Sequence, residues 1–285
     1  FMGTDDCTSN VPANTYFRDF DTFNISDDLT QVLYAWQIPY AGIVKANFII
    51  SNFANVPNCT EEVRNNCAGQ AYFHRAWWYF WLVKYFGPVP MPLSASDTDS
   101  NLTKSKMEDI YAQIISDLKN AETMLPVKQT SNNWSKNGFS IVPTQGSAKS
   151  LLASVYLQMT GWPLKKTECY ALAAAKAKEV IDNEATYGYG LVDMDKLWSG
   201  DTFWDKETVF GHPYLYPTGD YTMRTPKAGA PLEEGGWACY MAEINFFKNF
   251  PAGKRKDYTF QTDIWIPAQS TDKGAFYDTR SASWW

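Results

Sequence analysis

The chain has 285 residues, of which 45% are hydrophobic and 20% charged, a composition typical of globular proteins and unlike that of disordered ones. Its formal net charge of −6 and isoelectric point near 5.0 argue against nucleic-acid binding, which needs a basic face. Aromatic residues make up 16% of the chain, and a neutral ligand such as a sugar fits this composition. Five cysteines without a CxxC pair argue against a zinc ribbon.

The N-terminal residues 1–28 are predicted to be irregular, because Asp, Asn, Ser, Thr and Pro dominate them. Several aromatic residues interrupt this segment, so they either hold the loop in place or face a ligand. Residues 29–53 follow a helical pattern, and Pro39 inside it predicts a kink or a helix start at that point. The turn at residues 52–59 joins this helix to the next one as an antiparallel hairpin.

The central element is a helix predicted to begin near Glu61 and to end at Gly87, where Pro88 forbids continuation. Eight consecutive apolar residues, three of them Trp, run from Ala76 to Val83. They are too many for one stripe of a surface helix and too few for a membrane span, which needs about 20. We therefore expect a buried helix whose three Trp side chains belong to the core.

Two further helices are predicted between residues 105 and 161. The residues Ser105 to Glu108 form a capping-box pattern before the first of them, which Pro126 ends. Thr144 is predicted to cap the second. An alanine-rich segment at residues 167–181 indicates a further, closely packed helix.

Paired helices with short turns over residues 29–183 predict a mainly α fold, a tetratricopeptide-like helical-repeat superhelix. Beyond residue 183 the chain is rich in Gly, Tyr, Trp, Pro and Asp, which predicts an irregular, loop-rich lobe with a few short strands. Within this lobe, residues 243–250 indicate a short helix. Residues 255–260 and 263–266 alternate as strands do.

A resemblance to a known family rests first on the central helix. Residues 71–93, AYFHRAWWYFWLVKYFGPVPMPL, resemble the signature helix of the SusD/RagB family, in which an Arg-Ala-aromatic run ends in Phe-Gly-x-x-Pro. Residues 107–126 and 143–161 resemble the next helices of that family. The family's later Arg-x-Ala-Glu signature has no counterpart, so the chain is expected to lack the family's C-terminal part and its lipid-anchored N-terminus.

The resemblance implies a non-enzymatic, glycan-binding lipoprotein of the outer membrane of Bacteroidetes-type bacteria, facing outward. Such proteins deliver oligosaccharides to a SusC-like TonB-dependent transporter. The chain is then one SusD-like domain, with a scaffold at residues 29–183 and a ligand-binding lobe formed by residues 1–28 and 184–285. No cofactor is implied.

Sugar binding needs flat aromatic faces and planar polar groups, so the candidate ligand residues are those in loops. In the early loop, which family members use beside their ligand, the candidates are Tyr16 and Arg18. The remaining candidates are aromatic residues of the insert and of the late lobe: Trp134, Tyr214, Tyr216, Tyr221, Trp237 and Trp265. For each one, anchoring its own loop competes with ligand contact.

Catalytic and metal-binding residues are not predicted. His74 lies in the buried helix and His212 has no partner pattern. Adjacent acidic residues point apart, whereas the two carboxylates of a glycosidase are recognised by their separation in space. The P-loop, G-x-S-x-G and H-E-x-x-H motifs do not occur in the sequence.

Two alternatives to glycan capture fit the same composition. An α/α-barrel glycoside hydrolase is also helix-rich, acidic and rich in Trp, and it needs no linear motif. A tetratricopeptide scaffold that binds only proteins shares the helical pattern. Release of reducing sugar would identify the first alternative, and failure to bind any glycan would favour the second.

Overall fold

The computed structural model describes residues 4–9, 15–97, 102–131, 133–136, 138–197, 205–211, 229–232, 236–260, 262–266 and 275–278. By its contacts the chain divides into two compact units, called here the irregular unit, residues 1–32 and 214–285, and the helical unit, residues 33–213. The predicted division of a single domain at residues 28 and 183 stays a prediction.

Helices dominate the described residues, and the strands are short. The helices are α1 (Thr15–Asp21), α2 (Thr30–Asn52), α3 (Glu61–Phe86), α4 (Met107–Met124), α5 (Gln145–Thr160), α6 (Cys169–Ile181), α7 (Glu184–Tyr187), α8 (Met194–Leu197), α9 (Ile244–Asn249) and α10 (Lys254–Thr259). The strands form three antiparallel pairs: β1 (Cys7–Thr8) with β4 (Met241–Ala242), β2 (Ser135–Lys136) with β3 (Phe139–Ser140), and β5 (Asp263–Ile266) with β6 (Ala275–Asp278).

Consecutive helices of the helical unit pack antiparallel, as the predicted helical repeat requires. The late α3 residue Phe80 meets the early α4 residue Tyr111, with ring centroids 6.3 Å apart. At the start of α5, Lys149 reaches Glu122 near the end of α4, at 2.6 Å. The mainly α, repeat-type fold expected from the sequence is confirmed.

Helix α3 is the centre of this unit. Its start is capped by the Thr60 hydroxyl, which accepts a hydrogen bond from the backbone N–H of Val63 at 3.3 Å. Gly87, with φ of +68°, ends the helix at the predicted residue. The Trp77 and Trp78 side chains pack, partly buried, against the core. Trp81 instead lies half-buried against Tyr85, with ring centroids 4.6 Å apart.

The proline-rich segment after α3 is held by side-chain donors from α2 and α3. The Tyr40 hydroxyl donates to the Pro90 carbonyl at 2.7 Å. The Pro92 carbonyl accepts from the Tyr79 hydroxyl at 2.6 Å and from the Asn47 amide at 3.0 Å. The segment therefore contributes carbonyl acceptors to the interior, and the helices contribute the donors.

The helix predicted from residue 29 begins at Thr30 and runs through Pro39, so the alternative of a start at Pro39 is excluded and the predicted kink stays a prediction. One prediction on a helix start was wrong. The capping box predicted from Ser105 does not form, because α4 begins at Met107 behind Lys106 and no side chain caps it. The Ser105 backbone N–H instead donates to the Val89 carbonyl at 2.9 Å, which keeps Ser105 with the preceding extended segment. The predicted Thr144 cap is confirmed, with Ser147 completing a capping box.

The irregular unit also departs from prediction in two segments. Residues 1–28, expected to be irregular, contain β1 and α1. Residues 255–260, expected to form a strand, lie mostly in helix α10. The reason is an aromatic cluster, in which Phe260 packs edge-on against three Phe rings of the α9 region at 5.0–5.7 Å. Residues 263–266 form β5, as predicted.

Four charged side chains join helices α4, α5 and α6. The Lys149 ammonium pairs with Glu122 and Glu179, and the Lys176 ammonium pairs with the same two carboxylates at 3.0 Å. The hydrogen bond from Lys149 lowers the pKa of Glu179 below its ordinary value of 4.5. Burial alone would lower the pKa of Lys149, but its two carboxylate partners raise it above its ordinary value.

Acid is therefore expected to weaken this helix contact. Because the folded-state pKa of Glu179 is lowered, its contribution is complete above the ordinary pKa and is lost as the pH falls through the folded-state pKa. Glu179→Gln should flatten the decline in free energy of unfolding between about pH 5 and about pH 3. Urea titrations at several pH values measure this decline. Asp182→Asn, which changes an exposed pair with Lys178, is the control, and an equally steep decline in Glu179→Gln would contradict the prediction.

Candidate ligand-binding site

A polar framework in the irregular unit surrounds Arg18. Helix α1 places Arg18 and Asp21 one turn apart, and the guanidinium Nη1 lies 3.2 Å from the carboxylate Oδ2. The same oxygen accepts a hydrogen bond from the Thr8 hydroxyl at 3.0 Å. Strand β1, which contains Thr8, pairs with β4. Helix α1 is thus tied to a strand pair that joins two segments far apart in the sequence, residues 7–8 and 241–242.

The buried Ser9 extends the framework to a second segment. Arg18 Nη1 also donates to the Ser9 carbonyl, and the Ser9 hydroxyl donates to the Cys239 carbonyl at 2.7 Å. Cys239 lies two residues after Trp237, whose side chain is 44% exposed. Two hydrogen bonds in series therefore connect Arg18 with the segment that carries Trp237, although 219 positions separate the two residues in the sequence.

The segment carrying Trp237 has a fixed backbone. The N–H of Gly236 donates to the Pro231 carbonyl at 2.8 Å, and the N–H of Ala238 donates to the Ala230 carbonyl at 3.0 Å. Ala238 has φ of +45°, a conformation that non-glycine residues rarely adopt. The turn around Trp237 is therefore held on both sides.

Arg18 and Trp237 offer the two kinds of group that a neutral polyol uses. Arg18 is half-exposed, and its guanidinium has five N–H donors, more than Ser9 and Asp21 use. An exposed indole offers a flat apolar face to the C–H side of a pyranose ring. Guanidinium and indole on one framework thus supply the two kinds of contact that sugar recognition needs.

Most other predicted site residues in this unit fall partly or wholly outside the described residues. Tyr214, Tyr216 and Tyr221 lie outside them. The backbone of Tyr16 belongs to α1, and that of Trp265 lies in β5 opposite Phe276. Their side chains are outside the described part of the chain.

Trp134 lies in the helical unit, at the start of the β2–β3 hairpin. Its N–H donates to the Ser131 carbonyl at 2.8 Å, and its carbonyl accepts from the N–H of Ile141 at 2.9 Å. The loop is fixed to α3 by a reciprocal amide pair between Asn66 and Gln129, at 2.8 and 3.1 Å. The half-buried Trp134 side chain thus sits on a rigid connection.

Sequence reasoning missed two features. Ser9 and Asp21 organise the framework, but nothing in their sequence context distinguishes them from solvated loop residues. Trp162, between α5 and α6, is 78% exposed. The signal was its position between Gly161 and Pro163, which end the preceding helix, so no helical core face holds its side chain.

Antiparallel helical hairpins define a helical-repeat protein, and its irregular unit presents a half-exposed Arg18 and a partly exposed Trp237. The SusD-like family, described as starch-binding and associating with the outer membrane, matches residues 4–157, more than half of the chain. The protein belongs to this family.

Individual relatives agree with this assignment. SusD-like protein P2 of Formosa agariphila is 32% identical over 256 residues, which cover 85% of this chain and 46% of that protein. A SusD superfamily protein from Parabacteroides distasonis is 24% identical with a TM-score of 0.81, covering 97% of this chain and 59% of that one. A laminarin-binding SusD-like protein is 26% identical with a TM-score of 0.62, covering 73% and 44%. The chain spans about half the length of the relatives it matches.

Proposed function

We propose that this protein binds oligosaccharides or polysaccharides without catalysis at the outer surface of the cell and delivers them to a SusC-like TonB-dependent transporter of the outer membrane. Membership of a family described as starch-binding supports glycan binding, as does the likeness to a laminarin-binding protein. Among the described residues, no helix is long and apolar enough to cross a membrane. A lipid anchor is the proposed attachment because the resemblance to the SusD/RagB family implies one.

The observation that carries the proposal is the framework linking Arg18 to Trp237. The bonds from Arg18 to Ser9 and from Ser9 to Cys239 tie the guanidinium to the backbone of the segment that carries Trp237. Pre-organised contacts lose less conformational entropy when a ligand binds. A sugar ring stacked on Trp237, with its hydroxyls accepting from Arg18, uses both groups.

Trp237→Ala is expected to weaken glycan binding about tenfold, because truncating an aromatic anchor commonly costs more than 1 kcal/mol. Retardation in native gels containing laminarin, starch or xyloglucan, followed by calorimetry on the glycan that retards the protein, measures the loss. Arg18→Gln should weaken binding to the same glycan. Tyr170→Ala, which removes an exposed aromatic side chain from α6 in the helical unit, is the matched control.

Three results would contradict the proposal. Unchanged glycan affinity in both Trp237→Ala and Arg18→Gln would show that these residues do not form the glycan site. Release of reducing sugar by the purified protein would replace binding with glycoside hydrolysis. Retardation by none of a broad glycan panel would favour a protein-binding scaffold. Co-purification of a TonB-dependent transporter from outer-membrane extracts tests the delivery step.

A further inference from the structure

The connection between α5 and α6 presents an indole on a rigid loop. Trp162 is 78% exposed. The loop backbone around it is hydrogen-bonded, from the N–H of Lys165 to the Gly161 carbonyl at 2.8 Å and from the N–H of Lys166 to the Met159 carbonyl at 2.9 Å. Leu164, which lies between Gly161 and Lys165 in the sequence, packs against the core. The exposure of Trp162 is thus a property of an ordered turn.

A lysine ammonium occupies one face of this indole. Lys165 Nζ lies 4.9 Å from the centroid of the Trp162 ring, within the range of a cation–π contact. Lys165 has φ of +53°, a backbone conformation that costs free energy for a residue with a side chain. A strained residue therefore sets the position of the charge beside the exposed ring.

The local charge is opposite to that of the whole protein. Residues 161–168, GWPLKKTE, contain two lysines and one glutamate, so the loop has a net charge of +1 in a chain of net charge −6. Lys165 and Lys166 are adjacent and follow Trp162 within four residues. A ligand that complements this loop needs an apolar flat side and a negative group.

A carboxylated or sulfated sugar has both features. Its pyranose ring presents C–H groups to an indole face, and its anionic group accepts charge-assisted hydrogen bonds from ammonium groups. A membrane surface fits less well, because interfacial binding needs a broad apolar face. The loop's second large apolar side chain, Leu164, packs against the core instead.

We propose that Trp162, Lys165 and Lys166 form a second saccharide-binding site, selective for sugars with a carboxylate or sulfate group. This site belongs to the helical unit and uses none of the residues of the Arg18 framework. A result that contradicts the glycan site proposed there would therefore not contradict this second site.

The test compares polymers that differ in their charge. Native gels and calorimetry with dextran, dextran sulfate and polygalacturonate separate neutral, sulfated and carboxylated ligands. Wild-type protein should bind at least one anionic polymer more tightly than dextran, and added NaCl should weaken this binding. Trp162→Ala should weaken it about tenfold because it removes the aromatic anchor. The double variant Lys165→Gln/Lys166→Gln should also weaken it about tenfold, because it removes charge-assisted contacts.

Matched controls separate this site from general effects of charge and of exposed rings. Lys178→Gln removes an exposed lysine from α6, and Tyr170→Ala removes an exposed ring from the same helix. Both controls should bind the anionic polymer as wild type does. If the wild-type protein binds neither dextran sulfate nor polygalacturonate, the proposal is overturned. The proposal is also overturned if Trp162→Ala binds the anionic polymer as tightly as wild type does. The same holds if Lys178→Gln weakens this binding as much as Lys165→Gln/Lys166→Gln does.

Discussion

Replacing Arg75 by Leu is expected to lower the free energy of unfolding by about 3–5 kcal/mol, because it leaves a buried carboxylate without its partner. Arg75 and Asp117 form a two-pronged pair, with Nε to Oδ2 at 2.8 Å and Nη2 to Oδ1 at 2.7 Å. Their side chains are 5% and 0% exposed. Arg75 Nη1 also donates to Asn47 at 2.9 Å and to the Leu93 carbonyl at 3.1 Å.

The guanidinium therefore joins helices α2, α3 and α4 and the proline-rich segment at one point. Burial by itself lowers the pKa of Arg75, but the hydrogen bond and charge of Asp117 reverse this effect and raise the pKa. The cation is thus stabilised where it is buried. Gln113 adds a further hydrogen bond to Asp117 Oδ1 at 2.8 Å.

Urea unfolding followed by circular dichroism measures the expected loss. Lys178→Gln breaks an exposed pair and should cost less than about 1 kcal/mol. The double variant Arg75→Leu/Asp117→Leu should be less destabilised than Arg75→Leu, because it removes the unpaired charge. A loss in Arg75→Leu no larger than that in Lys178→Gln would show that the buried pair is not needed.

Gly42→Ala is expected to destabilise the protein by about 1–2 kcal/mol, although alanine is the better helix former by about 0.8–1.0 kcal/mol. Gly42 lies in α2 where the Trp78 ring of α3 crosses it. A Cβ at this position would lie 2.1 Å from Trp78 Nε1 and 2.5 Å from Cδ1, well inside van der Waals contact. The expected steric cost thus exceeds the gain in helix propensity.

Thermal and urea unfolding of a double-mutant cycle isolate this contact. Gly42→Ala should be less harmful in a Trp78→Phe background, where the smaller ring leaves more room. Ala41→Gly, at the neighbouring exposed position, measures the helix-propensity effect alone. A Gly42→Ala variant more stable than wild type would mean that the indole moves aside without cost.

The helices were predictable wherever local patterns decide structure. The apolar run of α3, the stop at Gly87 and the Thr144 cap are all encoded within a few residues, and the structure confirms them. The predictions for Ser105 and for residues 255–260 were wrong because contacts outside the local sequence decide these segments. A backbone contact with Val89 and an aromatic cluster around Phe260 decided those segments, and neither contact can be seen in the local sequence.

The candidate site was less predictable than the fold. Arg18 and Trp237 were singled out for their residue types, but the link between them depends on Ser9 and on pairing between distant segments. No sequence pattern singles out Trp162 as an exposed ring. Exposure of an aromatic ring depends on which neighbours cover it, and the sequence does not give those neighbours. Whether the predicted residues contact a glycan stays a prediction.

The prolines after α3 have a consequence for the hydrogen-bond balance of the interior. Pro88, Pro90 and Pro92 alternate, and proline has no backbone N–H. In an extended segment, the N–H and the C=O of one residue point to the same side, and alternate residues share that side. The side that carries the Pro90 and Pro92 carbonyls, which accept from Tyr40, Tyr79 and Asn47, therefore brings no proline N–H donor into the interior. A buried N–H without a partner costs free energy, so the prolines let this segment supply acceptors without leaving donors unpaired.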